Sequence, residues 1–241
     1  MSLSWKQVAA GLAAMAVGAS AVVFAETSGG APADRGVIEH VVRDYILAHP
    51  EIIPEAMDRL QAKQSAAAIG ENRKAIEAPF AGAWAGNPQG DVTLVEYVDY
   101  NCGFCRASVT DVDRLIANDH GLKVVFREIP ILSPESDVAA KLSLVAAKQG
   151  KFYGVHKALY AAGALSDAKI AAVAAKAGVA NAAALAKSPD IAAEIAANLD
   201  MAHALKLGGT PTFIVGDEML AGAVGYDALK KAVADARAKR G

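Results

Sequence analysis

Val92-Thr93-Leu94-Val95-Glu96-Tyr97-Val98 leads through Asp99-Tyr100-Asn101 into Cys102-Gly103-Phe104-Cys105, which holds both cysteines of the chain. Two thiols separated by two residues, placed where a buried strand (93–100) gives way to a helix, point to reversible disulfide chemistry rather than a structural staple. A bridge closing so short a ring restrains the unfolded chain by about 2 kcal/mol, against about 4.7 kcal/mol for a hundred-residue loop. Stability is a poor reason for such a pair; redox chemistry is a better one.

Working outward, the helix should run from Cys102 to about Asn118, with His120-Gly121 as the turn into a second strand over 122–129. Two strands joined through a helix form a parallel, right-handed βαβ unit. Ser133-Pro134 then supplies a cap and a first-turn proline, and helices are predicted over 136–149, 152–161, 167–177 and 189–206, with Gly178 and Gly208 ending two of them. Strand character resumes over 212–216; after a turn at Asp217 come a hairpin partner over 219–223 and a closing helix over 226–239. The order β-α-β, helical block, β-β-α predicts an α/β chain with a thioredoxin-like fold, split by a helical insertion over about 133–207.

Upstream, Gly86-Asn87-Pro88-Gln89-Gly90 is a turn cluster expected to introduce the main domain, taken as 81–241. Residues 26–80 form a linker and an N-terminal helical region. Val37, Ile38, Val41, Val42, Tyr45 and Ile46 recur at helical spacing up to His49-Pro50, and a second helix spans about 53–76. The second helix is sparsely apolar, with Ile69 and Ile76 one heptad apart. It fits a stalk, an oligomerisation arm or a helix packed on the main domain. Residues 1–25 form a signal peptide: Lys6, a small and apolar run from Val8 to Phe24, and Val23-Phe24-Ala25 for cleavage after Ala25. A retained anchor is the alternative, since the run approaches the ~17 residues that span a bilayer. Either way the rest of the chain reaches an oxidising, periplasmic compartment, where a dithiol can cycle. A net charge of −2 and a pI near 6.2 argue against a nucleic-acid partner.

A thiol attacks as its thiolate, and free cysteine titrates near pH 8.5. At a helix N-terminus, unpaired N–H groups and the positive end of the dipole favour the anion. Cys102 is therefore the expected nucleophile and Cys105, one turn deeper, the resolving thiol. Gly103 avoids crowding in the bend, and Phe104 offers an apolar collar to a partner backbone. A metal site is not expected. Zinc needs three or four ligands, the chain has no second cysteine pair, and His40, His49, His120, His156 and His203 are scattered. Arg106 stands where haem attachment needs histidine, and no cofactor is expected. Two soft thiolates could still hold copper(I), which is the competing functional reading.

The segment from Glu96 to Cys105 resembles the active-site segment of DsbA-like thiol-disulfide oxidoreductases. Gly209-Thr210-Pro211-Thr212-Phe213 is similar to that family's cis-proline loop, and Phe126-Arg127-Glu128-Ile129-Pro130 is similar as well. The likeness spans about 79–241. It implies that Pro211 is cis and packs against the disulfide, and that Thr210 presents backbone groups to a substrate strand. It also implies that Glu96 is a buried acid relaying protons near Cys105, with Asp99 the alternative by strand alternation. The founding oxidase has a histidine between its cysteines where this chain has Gly103-Phe104, a loss that should make the disulfide a weaker oxidant. The Gly-aromatic pair and the N-terminal helices are more similar to isomerases and to ScsC-like members associated with copper tolerance. The implied partners are unfolded or misoxidised envelope polypeptides, a membrane partner of DsbB or DsbD type, and further copies of the chain through its N-terminal helices.

Overall fold

The computed structural model describes residues 35–240; the expected signal peptide and most of the linker lie outside the described residues. The chain divides into two compact units at Asp58/Arg59. In the first, helix α1 (Arg35–Ala48) has no buried residue, and Val37, Ile38, Val41, Val42, Tyr45 and Leu47 are all exposed. Helix α2 (Ile52–Glu77) follows; its buried residues are Ile69 and Ile76, both within the second unit.

The second unit is built on a five-stranded sheet of order β1-β3-β2-β4-β5. Its strands are β1 (Trp84–Gly86), β2 (Val92–Val98), β3 (Leu122–Glu128), β4 (Thr212–Val215) and β5 (Glu218–Ala221). β2 and β3 are parallel, with Val92 opposite Leu122 and Val98 opposite Glu128, and the other pairs are antiparallel. Helix α3 (Gly103–Asn118) is the crossover between β2 and β3. The insertion comprises α4 (Pro134–Lys148), α5 (Phe152–Ala161), α6 (Asp167–Lys176), the single turn α7 (Ala182–Leu185) and α8 (Pro189–Ala204); α9 (Tyr226–Ala238) closes the chain. Ser133 caps α4 by accepting from the Ser136 amide at 3.2 Å, with Pro134 in its first turn.

Both faces of the sheet are covered, which is why β2 and β3 are apolar nearly throughout. One face packs Leu94, Val98, Val124, Phe126 and Phe213 against Val112 and Leu115 of α3, Leu229 and Val233 of α9, and residues of α4 and α5. The other packs Val95, Tyr97, Val125 and Ile214 against Ile69 and Ile76 of α2 and Ala202 and Leu205 around the end of α8. Each large apolar side chain so covered contributes about 1.5–3 kcal/mol. Of the options for the second predicted helix, packing on this sheet holds for its end, around Ile69 and Ile76.

Two local features differ from the sequence-based expectation. The sheet begins before the 86–90 turn, at the edge strand β1, whose three residues are too few to show a period. The turn itself is tight: a Cβ on Gly90 would stand 2.6 Å from the Gly121 carbonyl oxygen. Gly208 does not end α8. Lys206 takes the left-handed position at φ 55°, with the Leu207 amide donating to Ala202 O and the Lys206 amide to His203 O. Gly178, at φ 63°, plays that part after α6 as expected.

Candidate active site

Cys102 is the N-cap of α3. Its extended backbone (φ −74°, ψ 118°) turns the chain out of the strand, and its sulfur accepts the Cys105 amide at 3.4 Å. The first turn of α3 carries no acidic residue, so no carboxylate competes with a sulfur anion for the helix N-terminus. Cys105 lies deeper, fully buried, where Cys102 keeps 6% exposure. Both thiols are free. Burial, and next to it the neighbouring Glu96, push the Cys105 thiol well above the usual cysteine range. The pair is asymmetric in the way an attacking and a resolving thiol need.

Phe104 is 69% exposed, so it belongs to the surface around the dithiol and not to the core. Gly103 is exposed too, and a Cβ there would meet nothing within 4 Å. This corrects the crowding argument: the bend has room for a side chain, and the glycine instead leaves the surface beside Cys102 bare. The Thr210–Pro211 peptide bond is cis. The Cys102 thiol donates to the Thr210 carbonyl oxygen at 3.1 Å, so the loop before β4 touches the sulfur itself. Once that sulfur is bonded to another, it has no hydrogen to give and the carbonyl is released for other donors.

The residues just before Cys102 fix its surroundings. Asp99, almost wholly buried, accepts from the amides of Asn101 (2.8 Å), Ile131 (2.8 Å) and Leu132 (3.0 Å) and from the Ser136 hydroxyl (2.6 Å). The Asn101 side chain donates to Ser133 Oγ at 2.7 Å and accepts from the Leu165 amide at 3.1 Å. Arg106 donates to the carbonyls of Tyr160 and Gly163, both at 3.0 Å. The strand end, the helix start and two loops of the insertion are thereby tied together around the dithiol. With its oxygens so engaged, Asp99 is a clamp, and Glu96 is the better placed of the two acids for proton transfer.

Glu96 sits between Leu94 and Val98 on the sheet face that also holds Cys102 and Cys105. Burial, then the Glu128 charge and the Cys102 charge, push its carboxyl up to about 8. Glu128 belongs to the 126–130 segment that resembles the family, and the sequence alone assigns it no role. It is fully buried on the same face, two strand positions beyond Phe126, the residue opposite Glu96. It too is pushed up to about 8, chiefly by burial. Its Oε1 accepts from the hydroxyls of Tyr100 (2.9 Å) and Ser143 (2.7 Å), while its Oε2 has no hydrogen-bond partner among the described residues. His156, passed over as one of five scattered histidines, closes this layer, with its Nδ1 3.0 Å from the Tyr100 hydroxyl. Burial among Phe126, Phe152 and Tyr160 holds its imidazole down to about 3, so it is neutral. The signal for both was present in the spacing: period 2 through Val124, Phe126 and Glu128, and helical spacing through Phe152, Val155, His156, Leu159 and Tyr160. Among the described residues no group of three or more His, Cys, Asp or Glu could hold a metal ion.

A buried, asymmetric dithiol at a strand-to-helix junction, on a sheet of this topology, defines a thioredoxin-fold dithiol protein. Residues 93–234 match the DSBA-like thioredoxin domain and residues 34–67 the copper resistance protein ScsC N-terminal domain. The chain belongs to the DsbA-like thiol-disulfide oxidoreductase family. A thioredoxin-like oxidoreductase from Silicibacter pomeroyi DSS-3 is 36% identical and superposes with a TM-score of 0.63 over 68% of this chain and 95% of that one. A linker-deletion and N6K mutant of Proteus mirabilis ScsC is 26% identical, with a TM-score of 0.69 over 88% of this chain and 99% of that one. The thiol-disulfide exchange protein alpha-DsbA2 from Wolbachia pipientis is 28% identical, with a TM-score of 0.68 over 73% and 97%. Among curated proteins, a Na(+)/H(+) antiporter NhaA 1 of Salinispora arenicola (strain CNS-205) is 30% identical over 166 residues, and the chain spans 24% of its length. Among the described residues no helix is long and apolar enough to cross a membrane.

Proposed function

We propose that the protein is an exported, periplasmic thiol-disulfide oxidoreductase that exchanges disulfides with extended envelope polypeptides through Cys102 and Cys105. The observation that carries this reading is the asymmetry of the pair: Cys102 caps a helix and keeps 6% exposure, while Cys105 is fully buried and feels the charge of Glu96. In the oxidising direction a substrate thiolate attacks Cys102 Sγ. The Cys102–Cys105 bond breaks, its electron pair goes to Cys105, and Cys105 takes a proton from the Glu96 carboxyl. A second substrate thiolate then attacks the mixed disulfide, releasing an oxidised substrate and a reduced dithiol. In the isomerising direction Cys102 attacks a substrate bridge, and Cys105, giving its proton to Glu96, frees the substrate if rearrangement stalls. Gly103, Phe104, Thr210 and Pro211 form the surface on which the substrate backbone lies.

A membrane partner of DsbB or DsbD type resets the dithiol, and export follows from the apolar start of the chain. The direction of net flow is read from the redox potential against glutathione together with an assay on scrambled ribonuclease. Residues 81–241 then act as the catalytic domain and 26–80 as an assembly region. The apolar side chains that α1 leaves in solvent support association with further copies of the chain. Light scattering of the mature protein with and without residues 26–58 tests this, and an unchanged mass per particle contradicts it.

The exchange reading is tested with Cys102→Ser, which must lose both oxidising and isomerising activity; retention of either defeats it. A second reading, copper(I) held by the two free thiols, draws on the ScsC N-terminal match. Stoichiometric copper(I) binding without dithiol turnover would favour it.

A further inference from the structure

Two buried carboxyl groups share the sheet face beneath the dithiol, and the exchange mechanism uses only one of them. Strand register sets their spacing. Glu96 is opposite Phe126, and Glu128 lies two positions further along the parallel partner strand. With strands 4.8 Å apart and a rise of 3.3 Å per residue, the two backbones are about 8 Å apart on one face. Their side chains share a water-poor layer, and the Glu128 charge raises the proton affinity of Glu96.

Their hydrogen bonds differ. Glu128 Oε1 receives two hydroxyl donors, Tyr100 and Ser143, and Tyr100 has His156 Nδ1 behind it. With a neutral His156 donating to Tyr100 and Tyr100 donating onward, the chain of donors ends on Glu128 and favours its anion. Other charges reaching Glu128 are Asp99, at the end of β2, and Glu194, from α8. Both are acids. Arg127 precedes it in β3, but its guanidinium is occupied on the opposite face by Glu194, Asn198 and the carbonyls that end α2. No cation is therefore paired with Glu128 among the described residues. When only one of the two acids is charged, the charge settles on Glu128 and the proton stays on Glu96.

We infer that Glu128 is a positioning residue for the exchange reaction: when the pair gives up its first proton, the charge rests on Glu128, held by Tyr100 and Ser143, and the proton stays on Glu96 so that Glu96 can deliver it to Cys105 as the leaving group. The inference rests on the exchange reading above and assigns its acid a partner. Its balance is simple. The substrate sulfur forms a bond to Cys102, the Cys102–Cys105 bond breaks, and the Glu96 proton moves to Cys105. The charge lost from the substrate thiolate reappears on Glu96, beside Glu128. That repulsion favours rapid reprotonation of Glu96 in readiness for the next cycle.

The test compares the full mature protein with Glu128→Gln, which keeps an oxygen to accept from Tyr100 and Ser143 but carries no charge. Carbon-13 NMR of the glutamate carboxyls follows Glu96 without any turnover, its resonance assigned by its loss in Glu96→Gln. For two charges at this separation, the Glu96 midpoint should fall by about one pH unit in Glu128→Gln. In stopped-flow reaction of the oxidised protein with glutathione, the variant-to-parent rate ratio should drop about fivefold between pH 6 and pH 8. A constant ratio with an unmoved midpoint overturns the inference, as does a loss of rate equal at every pH, which marks a merely structural role. If Glu128→Gln does not fold, the parent decides: coupled acids each show both inflections, and two independent single titrations overturn the proposal. A parent that ignores glutathione while its carboxyls remain coupled would overturn the exchange reading and leave the carboxyl pair standing.

Discussion

Arg127 and Glu128 are consecutive residues of β3, both buried, and they meet opposite fates on the two faces of one sheet. Arg127 is saturated. Its Nη1 bonds Glu194 at 2.9 Å and Asn198 at 3.2 Å, and its Nη2 and Nε bond Ile76 O at 3.0 and 3.2 Å, with the carbonyls of Ala75 and Ala78 alongside. A cation among the last carbonyls of α2 satisfies groups that a helix end leaves open, and it fastens that helix to the sheet. Glu128 has two hydroxyl donors, an unpaired oxygen and another acid for company. A buried charge with every bond made holds architecture together. One left under-paired stores a shifted proton affinity, and such groups concentrate where chemistry is done.

Arg127→Met should separate the two roles most strongly. It strands Glu194 and the end of α2, so urea unfolding should show a loss of about 3–5 kcal/mol. Exchange per folded molecule should stay near that of the parent. A large activity loss without a stability loss would reverse the assignment.

Next in size is the pH dependence of stability. Folded Glu96 and Glu128 titrate near 8 instead of 4.5, so they hold protons that the unfolded chain releases. Their effect is absent below about pH 4.5 and grows increasingly destabilising up to about pH 8. His156 works the other way: folded, it titrates near 3 instead of 6.5, so stability is lost as pH falls through that window. Urea midpoints should therefore peak in mildly acidic solution and decline toward pH 8. Glu96→Gln should remove about half of that decline. A midpoint that rises steadily from pH 5 to 8 would contradict the account of the layer.

Tyr100→Phe has the smallest expected effect. It removes one donor from Glu128 and leaves His156 Nδ1 without its partner, which should cost about 1–2 kcal/mol. Thermal unfolding measures it. No change would mean that the tyrosine hydroxyl is not part of the network.

The parts of the fold legible in the sequence were those with strong periodicity or punctuation. β2, β3, the crossover helix, the capped start of α4 and the closing helix all fall within a residue or two of where the apolar pattern places them. β1 was missed because three edge residues carry no period, and α7 because Asn181-Ala182-Ala183-Ala184-Leu185 offers a single turn opened by an asparagine in a left-handed conformation (φ 52°). The end of α8 was misplaced because a lysine, not the nearby glycine, adopts the helix-terminating geometry. At the site, the dithiol, Glu96 and the Thr210–Pro211 loop were visible as motifs. Asp99, Glu128 and His156 were visible only as positions on a face, and Tyr100 only as a letter, because their partners come from α4, α5 and the 131–133 loop, up to 56 residues away. Sequence spacing marks a face; it does not say which residues will meet there.

The most direct measurement traps the exchange intermediate. With Cys105→Ala, a peptide disulfide offered at neutral pH should accumulate as a mixed disulfide on residue 102, visible by mass spectrometry. With Cys102→Ala, the buried thiol at 105 should form little adduct. Equal labelling of the two variants, or no adduct on Cys102, would contradict the division of labour on which the account stands.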